Sequence, residues 1–228
     1  MGALTYTVIP VAAVIIGAIA ASWRRPGDAF VSAMQHLAAG VVFAAAATEI
    51  LPQVMHQASP PATLIGGALG VGIMLALKAF ESRFRGPVAL LAAIGLDILV
   101  DGLVLGLAFV AGAKAGLLLT VALTLEVLFL GLTLTTELGE TIASRLKVVA
   151  TVSGLALLLP VGTLIAAPIA TFPPVVIAGF LSFGLMALLY LVTEELLVEA
   201  HEKPDSPLIS AMFFIGFLGL LTLEEVMG

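Results

Sequence analysis

Long apolar runs alternate with short polar breaks along the whole chain. Breaks of proline, glycine and charge mark out eight runs, at residues 4–23, 30–56, 62–79, 87–111, 116–138, 148–167, 175–198 and 208–226. Each is near or above the ~20 residues that a helix needs to cross a bilayer. The second, fourth, fifth and seventh are longer and are expected to tilt or protrude. The first run has no basic stretch before it, so it reads as a first membrane helix and not as a cleaved signal. The pattern predicts an all-α polytopic membrane protein with eight transmembrane helices.

The basic residues orient these spans, because Lys and Arg collect on the cytoplasmic side. Arg24 and Arg25 follow span one; Lys78, Arg83 and Arg85 follow span three; Arg145 and Lys147 follow span five; Lys203 follows span seven. Of the 9 basic residues only Lys114 falls in a loop on the other side. Both termini are therefore expected outside the cytoplasm, in a cell membrane (inner or plasma membrane). An even number of spans agrees with that.

Two short stretches repeat. "TEILPQVMH", Thr48 to His56, ends span two, and "TEELLVEAH", Thr193 to His201, ends span seven. Both read T-E-x-L-x4-H, and the two spans run in opposite directions. Inverted repeats of this kind are a hallmark of transporters, with a site near the midplane between them. The expected arrangement is 3+2+3 within one transmembrane domain, 1–228. Residues 1–86 form the first three-helix repeat, 87–147 the central helices that carry the site, and 148–228 the second repeat.

Acidic residues inside spans are the main chemical signal. In "GLDILVDGLVLGLAF", Asp97 and Asp101 lie one helical turn apart on one face. Glu126 lies well inside span five. An acid at a helix centre costs roughly 2.5–3.5 kcal/mol on insertion scales. The basic residues sit near the interfaces and are poor partners for them. Either the carboxyls are protonated, or they hold a cation; a site that exchanges one for the other satisfies both. Glu49 lies toward the outer end of span two and Glu194 toward the inner end of span seven, as counterparts near an entrance and an exit. His36, His56 and His201 are further pathway candidates, with a bland interfacial role as the alternative for the first two. Gly102 and Gly106, like Gly112 and Gly116, form G-x3-G steps that let helices approach closely.

Composition narrows the classes. The chain has 228 residues, 61% hydrophobic and 11% charged. That charged share is less than half of the ~25% usual in soluble domains, so no soluble core is expected. With 0 cysteines, disulfides and thiolate metal sites are excluded. A net charge of −6 without basic runs argues against nucleic-acid binding.

Several stretches together resemble the ZIP family of divalent metal transporters, over most of the chain. "HLAAGVVFAAAATEILPQ" is similar to that family's second helix, A-G-V-x5-E-x-x-P. "FGLMALLYLVTEELLVEAH" is similar to its seventh, which ends E-L-x-x-E-A. "SGLALLLPVG" resembles the sixth, S-G-L-x-E-P-x-G; "DILVDGLVLGLAF" the fourth, H-N-x-x-[DE]-G-x-x-x-G; and "LEVLFLGLTL" the fifth, H-E-x-P-E-G. The resemblance implies eight helices in a 3+2+3 arrangement with both ends outside, and metal ligands mainly on helices four and five. Asp97 stands at the family's histidine, Ile98 at its asparagine and Asp101 at its acid. Leu125 stands at the fifth-helix histidine and Glu126 at the acid beside it. Leu128 and Phe129 replace a proline and a second glutamate, and a leucine at or near Leu157 replaces the sixth-helix glutamate. The two-metal site typical of the family is thus partly lost, and the implied metal ligands are Asp97, Asp101 and Glu126. The histidine-rich inner loop of many members is also absent, with "ESRFRG" in its place.

The expected function is movement of Zn, Mn or Fe(II)-type divalent ions into the cytoplasm by alternating access, coupled to protonation of the intramembrane carboxylates. The cation is cargo; no other cofactor is expected, and the partners are divalent ions, the lipid bilayer and a second copy in a homodimer. Oxygen-only ligands favour harder cations such as Mn²⁺, while the Irving–Williams order favours Zn²⁺, so geometry and supply decide between them. An enzyme is not expected: intramembrane aspartyl proteases place their two aspartates on different helices, and neither G-x-G-D nor H-E-x-x-H occurs. The remaining rival is a metal- or proton-binding membrane protein that transports nothing, as a sensor or degenerate relative.

Overall fold

The structure is a computed structural model that describes residues 2–57, 59–83, 87–202 and 206–227. Among the described residues all regular structure is helical, and eight helices are long and apolar enough to cross a membrane. They are α1 (Ala3–Trp23), α2 (Asp28–Gln57), α3 (Pro60–Arg83), α4 (Pro87–Ala111), α5 (Ala113–Thr141), α6 (Arg145–Thr171), α7 (Pro174–His201) and α8 (Pro207–Met227). Each expected span falls on one of them. Arg85, Lys203 and Asp205 lie outside the described residues.

Proline shapes the interiors of three helices, because it has no N–H for the carbonyl four residues back. Pro10 leaves the Tyr6 carbonyl without its donor, and α1 is interrupted at Thr7, whose hydroxyl donates to the Leu4 carbonyl at 2.8 Å. Pro160 acts likewise on Ala156, and α6 is interrupted at Leu157. In α2, Pro52 removes the donor for the Thr48 carbonyl, and Ala46–Ile50 widens into one π-helical turn. A second π-helical turn occupies Leu191–Leu196 of α7, where no proline accounts for it.

The acid-bearing α4 and α5, together with α2 and α7, are the more buried helices; α3 and α8 are the most exposed. Four long antiparallel or parallel contacts hold the bundle: α1 along α5, α6 along α4, α2 along α8 and α7 along α3. Water-driven burial does not hold helices together within lipid, so close van der Waals packing must. The α4–α6 pair shows how. A Cβ on Gly102 would collide with the Leu159 carbonyl, and one on Gly162 with the Leu99 carbonyl. The backbones therefore touch, and the Thr163 hydroxyl donates to the Gly102 carbonyl at 2.8 Å. α4 and α5 lie side by side, linked by Gly112 alone.

This close approach yields a stability test. Gly102→Ala should force α4 off α6 and cost about 1–3 kcal/mol, the usual range for overpacking. Gly72 has nothing within 4 Å of its added Cβ, so Gly72→Ala should leave stability unchanged. Thermal unfolding in detergent reads both; equal behaviour of the two variants would refute the packing argument.

Candidate metal centre

α4 presents Asp97 and Asp101 on one face, and the antiparallel α5 brings Glu126 against them. One carboxylate oxygen from each lies within 4.8 Å of the other two. Two oxygens on opposite sides of one ion, at bond lengths of about 2.0–2.4 Å, are about 4–4.8 Å apart, so the three reach a single cation. Asp101 and Glu126 are each 3% exposed, and Asp97 is half-buried. Asp101 Oδ2 and Glu126 Oε2 have no hydrogen-bond partner among the described residues. Three carboxyl groups this close, with two orphaned oxygens, demand protons or a cation.

A cavity of about 600 Å³ leads to Asp97 from one end of the bundle. Its walls come from the α1–α2 turn (Arg25, Pro26, Asp28), the α3 end (Lys78) and the α5 and α7 ends, so these turns share one side. Asp28, Glu137, Glu140, Glu195, Glu199 and Glu202 line it against Arg25 and Lys78. Arg25 is itself paired with Glu140 at 3.4 Å. An acid-lined recess with low-dielectric walls concentrates cations. Thr133 and Thr136 add hydroxyls to the wall, though each donates to a carbonyl of its own helix.

The expected pathway residues divide between the two ends. Glu49 is 9% exposed and lies among the charges of Lys114 and Glu224, at the end away from the cavity. Those two form an ion pair at 2.7 Å. His56, near the same end of α2, is exposed. Glu194 is exposed on the outside of α7, beside a separate hollow lined by Val71, Leu75, Met186 and Tyr190. Lys78 Nζ donates to the Glu194 backbone carbonyl at 3.2 Å. Its neighbour Glu195 is the residue that lines the cavity and shares the field of Asp101 and Glu126. The sequence singled out neither Glu195 nor the cavity. The only available signal was the doubled acid in T-E-E; which of the two turns inward depends on the π-helical turn. His36 and His201 meet each other, with ring centroids 5.0 Å apart.

Groups that hold one ion together lose it together. Binding of Mn²⁺ or Zn²⁺ should raise the melting temperature of the protein in detergent. Asp97→Asn and Asp101→Asn should each abolish most of that rise, and the double variant should be little worse than either. Additive losses would mean that the two do not share an ion.

The chain matches no family model and no curated protein, so its function rests on the chemistry of this site.

Proposed function

We propose that this protein is a divalent-cation transporter, a divergent relative of the ZIP family, that carries Zn, Mn or Fe(II)-type ions into the cytoplasm by alternating access. The observation that carries the reading is one carboxylate triad, mid-bundle, at the head of an acid-lined cavity that reaches it through Asp97. Asp101 and Glu126 lie beyond it and are buried. In this geometry an ion leaves toward the Arg25 and Lys78 side, which the basic residues mark as cytoplasmic. Both termini are then outside. Protons can take the ion's place on the three carboxyls after it leaves, which links the return step to pH.

The packing supports a 3+2+3 inverted repeat. Exchanging α1 with α6, α2 with α7, α3 with α8 and α4 with α5 turns every major helix contact into another one. Gly17 abuts the Leu128 carbonyl and Gly131 the Val14 carbonyl, as Gly162 abuts Leu99 and Gly102 abuts Leu159. Positions 14 and 17 map onto 159 and 162 by 145 residues, and 99 and 102 onto 128 and 131 by 29. That second shift lays Asp97 on Glu126. The T-E pairs of α2 and α7 both sit in π-helical turns. For the other helices, Gly70 on Phe183 matches Gly216 on Leu37 with a shift of 146. It makes Glu195, in place of Glu194, the counterpart of Glu49. Alternating access then rocks the two three-helix units around the fixed α4–α5 pair.

The deciding measurement is uptake of several divalent cations by purified protein in liposomes. Uptake of at least one, lost in Asp101→Asn and Glu126→Gln, is expected. Binding without flux of any ion would leave the non-transporting reading in its place. Asp97→His should shift preference toward Zn²⁺ over Mn²⁺, since imidazole is the softer ligand. An unchanged selectivity profile would remove residue 97 from the ion's contacts.

A further inference from the structure

We infer a binding surface for anionic phospholipids at the cavity end of the bundle, where the α1–α2 turn meets the α5–α6 turn. The Arg25–Glu140 ion pair at 3.4 Å ties the first turn to the end of α5. Arg24 lies next to that pair, and Arg145 and Lys147 open α6 just beyond it. All three side chains are exposed, and among the described residues none of them forms an ion pair. None lines the acid-lined cavity, which Arg25 and Lys78 face instead. In a chain of net charge −6, three cations without acidic partners thus gather along one edge. A phosphate from outside the protein is the complementary group.

The apolar residues among these charges say what carries that phosphate. Trp23, beside Arg24, is 82% exposed, and Leu146, between Arg145 and Lys147, is 80% exposed. Tryptophan takes the headgroup level of a bilayer, with its ring toward lipid and its N–H toward water. From that level Ile16 and Ile19 continue the exposed stripe of α1 into the membrane, at helical spacing from Trp23. Leu146, Ala150 and Gly154 do the same on α6, each four residues from the last. The two helices pack side by side. A Cβ added to Gly154 would meet nothing within 4 Å, so this face is open to an acyl chain. Charge at the rim and apolar surface behind it match the two parts of one phospholipid. A soluble phosphate would use the charges alone and leave Trp23 and Leu146 in water. The surface needs no movement of ions, so it stands whether or not the protein is a transporter.

Trp23 is the only tryptophan in the chain, so its fluorescence reports on this surface alone. The purified protein is placed in phosphatidylcholine vesicles that contain acyl-brominated phosphatidylglycerol or acyl-brominated phosphatidylcholine at matched mole fractions. Both lipids occupy both leaflets, so the orientation of the chain has no bearing on the result. The anionic lipid should quench Trp23 at a mole fraction lower by about fivefold or more, the attraction that even one juxtamembrane basic residue supplies. Raised salt should narrow that gap. Arg24→Gln, Arg145→Gln and Lys147→Gln should each narrow it, and the three together should merge the two curves. Arg83→Gln, at the end of α3, should leave the gap as it is. Equal quenching by the two lipids in the unaltered protein, or a preference that survives the triple substitution, would overturn the surface.

Discussion

Three carboxyl groups within 4.8 Å of one another, on two apolar helices, set the terms for the rest of this structure. Asp101 and Glu126 are shut off from water, and among the described residues no ammonium or guanidinium pairs with them. The charge must be met by a proton or a cation. The fold packs α1 and α2 on α5, and α6 and α7 on α4, and a cavity opens to Asp97. Small residues serve the same end: Gly102 and Gly162 bring α6 against α4, and Gly17 and Gly131 bring α1 against α5. Bulkier residues there would move the acids apart.

The two ends of the bundle are treated differently. On the Arg25 side, carboxylates outnumber cations around an open recess. On the other side, Lys114 and Glu224 close on each other beside Glu49, and Tyr6 stacks on Phe109 with centroids 5.0 Å apart. Lys114 is thus a fixed positive charge near Glu49. The asymmetry is one of charge state and packing, laid over a framework whose helix contacts are symmetric.

Helix number and position were legible because eight apolar runs of this length have one solution in a bilayer. The triad was legible for a related reason: Asp97, Asp101 and Glu126 are costly where they are, and nothing nearby in sequence offsets them. The cavity was not. It is formed by the ends of α5 and α7 and the α1–α2 turn, which periodicity treats as solvated. Glu195 was missed because the T-E-x-L-x4-H match pointed to Glu194, and the π-helical turn at Leu191–Leu196 shifts the helical register that decides which of the two faces inward. In α2 the prolyl residue Pro52 announces such a turn; in α7 no residue does. The meeting of His36 with His201 joins positions 165 residues apart, beyond the reach of any local pattern.

The single-residue link at Gly112 has a consequence for how the chain is assembled. Bringing Asp101 to Glu126 closes a loop of 25 residues, whereas pairing Lys114 with Glu224 closes one of 110. Loop-closure entropy makes the second dearer by about 1.3 kcal/mol. Synthesis runs from the N-terminus, and α5 is complete while α6, α7 and α8 are still to come. The acid-bearing hairpin is thus an early, local structure, and the Lys114–Glu224 pair can form only once α8 is in place.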